Sequence, residues 1–350
     1  MASVLLRYLL TDPLLTPRQI TDLFAHDIVQ AATRATYVSN LPYIHSLEML
    51  VAMAPEGILA VIGGNWQIFD QMIARSGATI HLNTSVTEIA LDPTHDPLSP
   101  HAKYVISIQS EADAAEETHP IHFDEVVIAA PWQYSGIKAS DEVLQRAIDE
   151  IPYVKLYVTL FTSPFVLSPG FFGLPPGSKA PTSILTTLGA DEEPLPGRDG
   201  VGKSGFYSVH TLRVITNPET LREEYVYKIL SPDPVSADLL SSLLGVKVPE
   251  ASVSSSGGET TNMASPVSWY HSHAFHSYPV QLPRITFQDP ILRSGLYYTS
   301  GIESFISSME ASSLMGMNVA RLIADDLRAQ RDGGPDSRGM AGLSSQMDEL

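Results

Sequence analysis

The segment that most constrains the fold of this chain is an apolar run that leads through a glycine turn into a long helix. Leu296-Tyr297-Tyr298-Thr299 is too short for a helix and rich in Tyr, which predicts a buried strand. Ser300-Gly301 predicts a turn. A helix is predicted to begin near Ser307, because Ser307 and Glu310 have the spacing of a capping box. The positive end of this helix would face the carboxyl edge of a sheet, where open α/β folds bind ligands.

The predicted helix has one less polar face and a defined end. The residues of that face recur at helical spacing and are Ala311, Met315, Val319 and Leu322. Arg328 and Arg331 suit the negative end of the helix, and Gly333-Gly334-Pro335 prevents its continuation. We therefore expect the helix to end just before these residues, and residues 333–350 to form a disordered tail.

Length, charge and cysteine content limit the class of protein. With 350 residues, 44% of them hydrophobic, the chain can bury a large core in one large domain or two intertwined ones. A net charge of −18 would repel a nucleic-acid backbone or an anionic membrane surface. Without cysteines, disulfides and thiolate metal sites are excluded. No stretch reaches the length of a transmembrane helix, and residues 1–10 lack the features of a signal peptide.

The first part of the chain predicts helices followed by short strands. We expect helices within residues 1–60, the second of them from His45 to Met53. Residues 58–62 predict a strand that leads into Gly63-Gly64, and a helix that ends at Ser76-Gly77 follows. Further strands are predicted at residues 78–82, 86–89, 104–109, 121–123 and 124–131. The acidic turn between the strands at 104–109 and 121–123 indicates a hairpin.

The middle of the chain predicts an antiparallel sheet. After a helix at residues 141–151, short segments rich in β-branched and aromatic residues alternate with Pro/Gly-rich loops. These segments are residues 153–161, 182–188, 206–212 and 225–230. A short helix at residues 235–244 and a Ser/Gly/Thr-rich loop at residues 251–265 complete this part.

Two motifs resemble functional sites but have ordinary structural explanations. Residues 197–204 match the phosphate-loop pattern, but acidic turn residues precede them and a predicted strand follows, so a nucleotide triphosphatase is disfavoured. His271, His273 and His276 resemble a metal cluster without a nearby acidic ligand. We expect them to line a strand or loop, and we predict no metal site.

Several stretches resemble a known family. Residues 296–303, followed by Ser308-Met309-Glu310-Ala311, are similar to the last flavin-contacting segment of the FAD-dependent amine-oxidase superfamily. They are more narrowly similar to that of the prenylcysteine oxidase (prenylcysteine lyase) family. The Gly63-Gly64 block and the strand before Pro131 resemble other parts of the superfamily beside the dinucleotide. The resemblance implies FAD as cofactor, held by Gly63, Gly64, Val86, Pro131, Gly301, Glu303, Ser308 and Met309.

The resemblance also implies a mixed α/β (α+β) fold. A partial, Rossmann-like FAD-binding domain would carry an inserted antiparallel-sheet substrate domain. The implied boundaries are residues 1–57 (helical part of the substrate domain), 58–137 (FAD-binding domain), 138–285 (substrate domain), 286–332 (C-terminal strand and helix of the FAD-binding domain) and 333–350 (tail). The residues expected to line the substrate slot are Trp132, Tyr134, Trp269 and Tyr278.

The activity implied by the resemblance is cleavage of the thioether of farnesyl- or geranylgeranylcysteine during the breakdown of prenylated proteins. FAD and O2 would be used, and a prenyl aldehyde, cysteine and H2O2 would form. The partners expected are therefore a small prenylated cysteine and O2. Relatives of this kind are lysosomal or vacuolar glycoproteins, and Asn83-Thr84-Ser85 is a glycosylation sequon. No catalytic residue is identified.

One expected motif is missing. FAD oxidases of this kind carry a Gly-x-Gly-x-x-Gly turn between their first strand and the helix that follows, and the chain has no such turn at the end of a predicted strand. Three functions therefore remain open. They are a prenylcysteine oxidase that acts when an N-terminal half is supplied, a catalytically inert member or fragment that binds a hydrophobic ligand, and a flavin oxidase acting on an amine.

Overall fold

The computed structural model describes residues 21–54, 59–94, 104–110, 121–253 and 265–331. Helices occur together with antiparallel and mixed sheets, so the predicted mixed α/β class is confirmed. The chain divides into two compact units. The first unit comprises Met1–Glu56 and Ile151–Ile285, and the second comprises Gly57–Glu150 and Thr286–Leu350.

The described part of the chain contains eleven strands and seven α-helical segments. The strands are β1 (Thr84–Leu91), β2 (Tyr104–Ser110), β3 (Ile121–Phe123), β4 (Val126–Ile128), β5 (Tyr153–Ser163), β6 (Ser183–Leu185), β7 (Ser208–Thr216), β8 (Glu223–Ser231), β9 (Trp269–Pro279), β10 (Ile291–Arg293) and β11 (Leu296–Tyr298). The helices are α1 (Asp22–Phe24), α2 (Gln30–Tyr37), α3 (Ser46–Met53), α4 (Trp66–Ser76), α5 (Trp132–Ser135), α6 (Ala237–Leu244) and α7 (Met309–Arg331). A π-helical stretch, Ala25–Val29, joins α1 to α2.

The first unit is built on a five-stranded antiparallel sheet in the order β6-β7-β8-β5-β9. One face of this sheet is buried and packs against α6, through a core that includes Phe161, Tyr227, Ile229, Leu240 and Leu243. The strands form because their apolar residues alternate, which places every second side chain in this core. The predicted antiparallel sheet and the short helix after it are thus confirmed.

A buried arginine holds the helical part of the first unit to its loops. The guanidinium of Arg34 donates to the carbonyl oxygens of Thr186, Gly200 and Val201 at 2.6–2.9 Å. It also donates to Asn40 Oδ1 at 2.8 Å and to Thr186 Oγ1 at 3.0 Å. Residues 197–201 form a 3-10 helix, and β7 follows, so the phosphate-loop pattern lacks the strand and helix that a nucleotide site needs.

The second unit contains two three-stranded sheets. Strands β1, β2 and β3 form an antiparallel sheet, which confirms the predicted hairpin of β2 and β3. The other sheet has the order β10-β11-β4, with β11 parallel to β4. A shared core of buried residues includes Ile89, Tyr104, Val126, Leu292 and Leu296. The carboxyl ends of β4 and β11 therefore meet at one edge.

The predicted helix at residues 141–151 is wrong. Only a single turn forms, in which the N–H groups of Val143 and Leu144 donate to Ser140. The N–H of Arg146 then donates to the carbonyl of Leu292 at 3.2 Å, and the N–H of Asp149 donates to Gln288 Oε1 at 2.8 Å. Tertiary hydrogen bonds thus replace the bonds of a helix, and the sequence pattern contains no sign of them.

The predicted strands at residues 58–62 and 78–82 are also wrong in their described parts. Residues 59–62 and 78–82 pair with no strand of the described chain and lie exposed. Apolar runs of this length predict a strand, but a strand forms only where a neighbour supplies its hydrogen bonds. The predicted strand at 124–131 is shortened to β4 for a related reason: only Val126–Ile128 pairs with β11.

Some expectations fall on residues outside the described chain. These are the N-terminal helix signals before residue 21, most of the loop at residues 251–265, and the tail at residues 333–350. The helix predicted from His45 to Met53 is confirmed as α3, and His45 caps it by accepting from the N–H of Glu48.

Candidate functional site

The candidate site lies at the edge where β4 and β11 end. The two strands are parallel, and Tyr298 is opposite Ile128 at their last paired position. The N–H of Thr299 donates to the carbonyl of Ile128 at 3.1 Å, and the hydroxyl of Tyr298 accepts from the N–H of Trp132 at 3.3 Å. These bonds bring the chain after Pro131 next to the turn after β11. The end of the strand before Pro131 and the start of the Ser300-Gly301 turn, both expected from the sequence to lie beside a cofactor, are therefore adjacent.

Gly301 lies in the 3-10 helix Ser300–Ser304 directly after β11 and is buried. A Cβ added at this glycine would come within 2.5 Å of Gln288 Cβ and 2.8 Å of Gln288 Cγ. Ser304 Oγ donates to the carbonyl of Gly301 at 3.1 Å and closes the turn. The close approach that requires glycine here is thus made by Gln288 of the same unit.

Helix α7 begins beside this turn. The predicted capping residue, Ser307, is wrong by one position, because Ser308 Oγ accepts from the N–H of Ala311 at 3.2 Å and the helix starts at Met309. The side chain of Met309 is half exposed. The N–H groups of a first helical turn have no partner within the helix, so this end can bind an electron-rich group.

Tyr298 is the titratable group of β11 at this edge, and its environment keeps it protonated. Burial raises the pKa of the Tyr298 hydroxyl, and the nearby carboxylate of Glu303 raises it further. Tyr298 therefore stays neutral and can act as a donor at this edge at any physiological pH. Sequence reasoning did not single out Tyr298 or Gln288. The only signal for Tyr298 was its position as the last residue of an apolar run.

The Gly63-Gly64 turn makes only local hydrogen bonds in the described chain. Both glycines have positive φ, 91° and 120°, and the hydrogen bonds of the turn within the described chain join it only to residues 61–67. Val86 lies in β1, opposite Ile108, and packs against the core of the second unit. The structure thus links the residue after Pro131 to Tyr298, and Gly301, Glu303, Ser308 and Met309 follow Tyr298 in the chain. Among the residues that the structure describes, no hydrogen bond joins Gly63-Gly64 or Val86 to these residues.

The four residues expected to line a substrate slot belong to different units. In the second unit, Trp132 is half-buried against the core and Tyr134 is 45% exposed. In the first unit, Trp269 is 40% exposed and stacks on His271 with ring centroids 6.0 Å apart. Tyr278 packs edge-on against Tyr37 at 5.8 Å, and burial raises its pKa.

The three histidines lie on β9, and His271 and His273 point to the same exposed face, as expected. Within the described chain, no group of three or more His, Cys, Asp or Glu is placed to hold a metal ion. A cavity of about 470 Å³ occurs elsewhere in the first unit, lined by Tyr153, Lys155, Tyr157, Arg198 and Asp233 among others. None of the predicted site residues lines this cavity.

The residues at the β4–β11 edge fit one end of a flavin. The first turn of α7 offers backbone donors, and Ser308 holds that turn in place. These donors match the electron-rich edge of an isoalloxazine ring. The pyrophosphate of FAD has no such match in the described chain, because the one Gly-x-Gly-x-x-Gly of the sequence, residues 200–205, lies between a 3-10 helix and β7 and not between a strand and a helix. The fit therefore concerns the ring end of the cofactor.

No helix of the described chain combines the length and apolarity of a membrane-spanning segment. The chain is 26% identical over 314 residues to farnesylcysteine lyase of Arabidopsis thaliana, which covers 88% of this chain and 51% of the relative. It is 23% identical over 320 residues to prenylcysteine oxidase 1-like of Bos taurus, covering 87% of this chain and 55% of the relative. It thus spans about half the length of these curated relatives. The model of the prenylcysteine lyase family matches residues 5–336, and the chain therefore belongs to the prenylcysteine lyase family.

Proposed function

We propose that this protein is an FAD-dependent oxidoreductase that cleaves the thioether of farnesyl- or geranylgeranylcysteine with O2 and water. The products would be a prenyl aldehyde, cysteine and H2O2, and the reaction would serve the breakdown of prenylated proteins. The observation that carries this proposal is the family match over residues 5–336. The name of the plant relative, farnesylcysteine lyase, supports a farnesylated substrate.

The geometry of the second unit supports the cofactor. We infer that the first turn of α7 holds the electron-rich edge of the flavin ring through its backbone N–H groups. Ser308 keeps this turn in place, and Tyr298 and Trp132 form the neighbouring wall. When bound, FAD would supply the two-electron oxidation of the carbon next to sulfur and pass the electrons to O2.

A second candidate is a member that binds a prenylated ligand without catalysis. The setting of residues 200–205 favours this candidate, because this Gly-x-Gly-x-x-Gly is followed by β7 and not by the helix whose first turn would hold the pyrophosphate of FAD.

The visible spectrum of the purified chain, before and after incubation with FAD, separates these candidates. Bands of bound flavin support the oxidoreductase, whereas a colourless protein that binds farnesylcysteine supports the second candidate. Release of H2O2 is then measured with farnesylcysteine and with an amine. Peroxide from the amine alone would overturn the assignment of the substrate and indicate an amine oxidase instead.

The role of α7 is tested by Ser308→Ala. Loss of the cap should cost about 1 kcal/mol of helix stability and weaken FAD binding in the same titration. Ser236→Ala is the matched control, since Ser236 caps α6 of the first unit with the same 3.2 Å bond to the N–H of Leu239. The control should lose a similar amount of stability and keep its affinity for FAD. Equal effects of both variants on FAD binding would contradict the role of α7.

A further inference from the structure

A continuous row of side chains crosses all five strands of the sheet in the first unit. Adjacent strands pair Ser183 with His210, His210 with Lys228, Lys228 with Leu160, and Leu160 with His271. Directly paired residues of antiparallel strands point to the same side, with Cβ atoms about 5 Å apart. These five residues therefore form one line on one face, which we call the open row.

The open row lies on the face of the sheet opposite to the α6 core, beside the part of that face where Leu230 and Val158 are covered by Val38 and Tyr207. The residues one position further along, Ile184, Val209, Ile229 and Thr159, point to the opposite side, and Val209, Ile229 and Thr159 are fully buried there. By contrast, Ser183 and His271 are exposed, and His210, Lys228 and Leu160 are partly exposed. The row thus presents its side chains to a ligand rather than to the core.

The row has a cationic middle and an apolar end. Within the described chain no carboxylate lies at ion-pair distance from Lys228, although the protein has a net charge of −18. Burial and the charge of Lys228 lower the pKa of His210, whose Nδ1 lies 2.8 Å from Ser183 Oγ. His210 is therefore neutral at physiological pH, and Lys228 carries the charge of the row.

The apolar end begins at Leu160, one strand from Lys228. Next to it, His271 is stacked on Trp269, with ring planes 9° apart. These two rings and the Leu160 side chain make a flat, accessible apolar surface beside a single cation. An amphiphile with one carboxylate and a hydrocarbon chain has the complementary shape and charge.

We propose that the open row is the surface that positions the substrate, with Lys228 binding the carboxylate of S-prenylcysteine and Leu160, Trp269 and His271 contacting its isoprenoid chain. This inference rests on the proposed function, since it names the residues that would recognise the same substrate. Lys228 is a specificity residue in this assignment and takes no part in the chemistry.

The test compares S-farnesylcysteine with its methyl ester, which lacks the carboxylate, by calorimetric titration of the full chain. The wild type should bind the free acid roughly tenfold more tightly than the ester, as expected for a charge-assisted hydrogen bond. In Lys228→Met this preference should vanish while the affinity for the ester is unchanged, because the aliphatic stem is retained. Lys228→Arg should keep the preference. Lys179→Met, at an exposed lysine outside the row, is the matched control and should behave as the wild type.

Four outcomes would overturn the inference. If Lys228→Met keeps the preference, or if folded Lys228→Arg loses it, the carboxylate binds elsewhere while the proposed function stands. If Leu160→Ser binds the ester as tightly as the wild type, the isoprenoid does not lie on the row. If the wild type binds neither compound, with or without FAD, the proposed function fails and this inference fails with it.

Discussion

Position 301 requires glycine because an added Cβ atom would overlap Gln288. Its neighbour Gln288 is itself held in place, since its Oε1 accepts from the N–H of Asp149 and its Nε2 donates to the carbonyl of Ala147. Gln288 therefore cannot move aside without losing these bonds. The sequence predicted a turn at Gly301, but the contact that demands glycine depends on residues far away in the chain.

We expect Gly301→Ala to destabilise the second unit by about 1–3 kcal/mol, because the added methyl group overlaps Gln288. Thermal unfolding measures the effect. Gly316→Ala is the control: this glycine lies exposed in α7, and a Cβ there would meet nothing within 4 Å. Alanine is the better helix former, so the control should gain about 0.5–1 kcal/mol. A neutral Gly301→Ala would show that Gln288 is free to move.

Arg34 is a second residue with a role that composition alone did not indicate. Its guanidinium is fully buried and bonded to neutral oxygen atoms, and the desolvation that follows from burial lowers its pKa. Five donors in a planar fork can satisfy several carbonyl groups at once, which a lysine cannot do. Arg34 thus holds the 3-10 helix of residues 197–201 against α2.

Arg34→Met should cost about 3 kcal/mol or more, because it leaves several buried carbonyl oxygens without a donor. Chemical denaturation of the chain gives the value. Arg198→Met is the comparison, since Arg198 pairs with Asp233 at the surface and exposed pairs contribute about 0–1 kcal/mol. Similar losses in both variants would contradict the special role of Arg34.

At the scale of elements, α7 is fastened to the sheet of the second unit by polar contacts as well as by its apolar face. The hydroxyl of the buried Tyr297 in β11 donates to Asp326 Oδ2 of α7 at 2.7 Å. Glu125, just before β4, lies close enough for Asp326 to raise its pKa, although burial is the larger cause. The predicted face of Ala311, Met315, Val319 and Leu322 does turn inward, and Val319 is its buried centre.

The raised pKa of Glu125 has a consequence for stability. A glutamate whose pKa is higher in the folded state than in the unfolded state binds its proton more tightly when folded. Its contribution to stability is therefore present at low pH and is lost as pH rises through the folded pKa. We therefore expect Glu125→Gln to raise Tm at neutral pH. The gain should disappear below about pH 4, where the glutamate is protonated in both states. Glu142→Gln, at an exposed position, should not change Tm at either pH.

Short elements also show where local patterns are sufficient. Four strands of the five-stranded sheet and the β2–β3 hairpin were predictable, because their side chains alternate and their turns carry polar or Pro/Gly signals. The fifth strand, β9, was not predicted as part of this sheet. The structure of residues 141–151 was not predictable, because their backbone donors are bound by Leu292 and Gln288.

At the scale of the whole molecule, an exposed apolar region distinguishes the second unit. Helix α4 has no buried residue, and its exposed side chains include Trp66, Phe69 and Met72. Leu59, Ile62 and Leu82, which flank α4 in the sequence, are exposed as well. These residues contribute little to the core of the chain.

Phe69→Gln should therefore change the free energy of unfolding by no more than about 0.5 kcal/mol. Leu292→Ala, in the core of the same unit, should cost about 2–5 kcal/mol. Denaturant titration of both variants makes the comparison. A large loss in Phe69→Gln would mean that α4 is packed in solution.

The sequence by itself determined the family, the strand-turn-helix segment at residues 296–331, the antiparallel sheet and the residue types expected near a flavin. These follow from patterns of neighbouring residues, and local propensity and burial suffice to form them. Only the tertiary structure decided that Ser308 caps α7, that Gln288 imposes glycine at position 301, and that Lys228 stands in one row with residues of four other strands. Such facts depend on strand register and on contacts between distant residues, which no local pattern encodes.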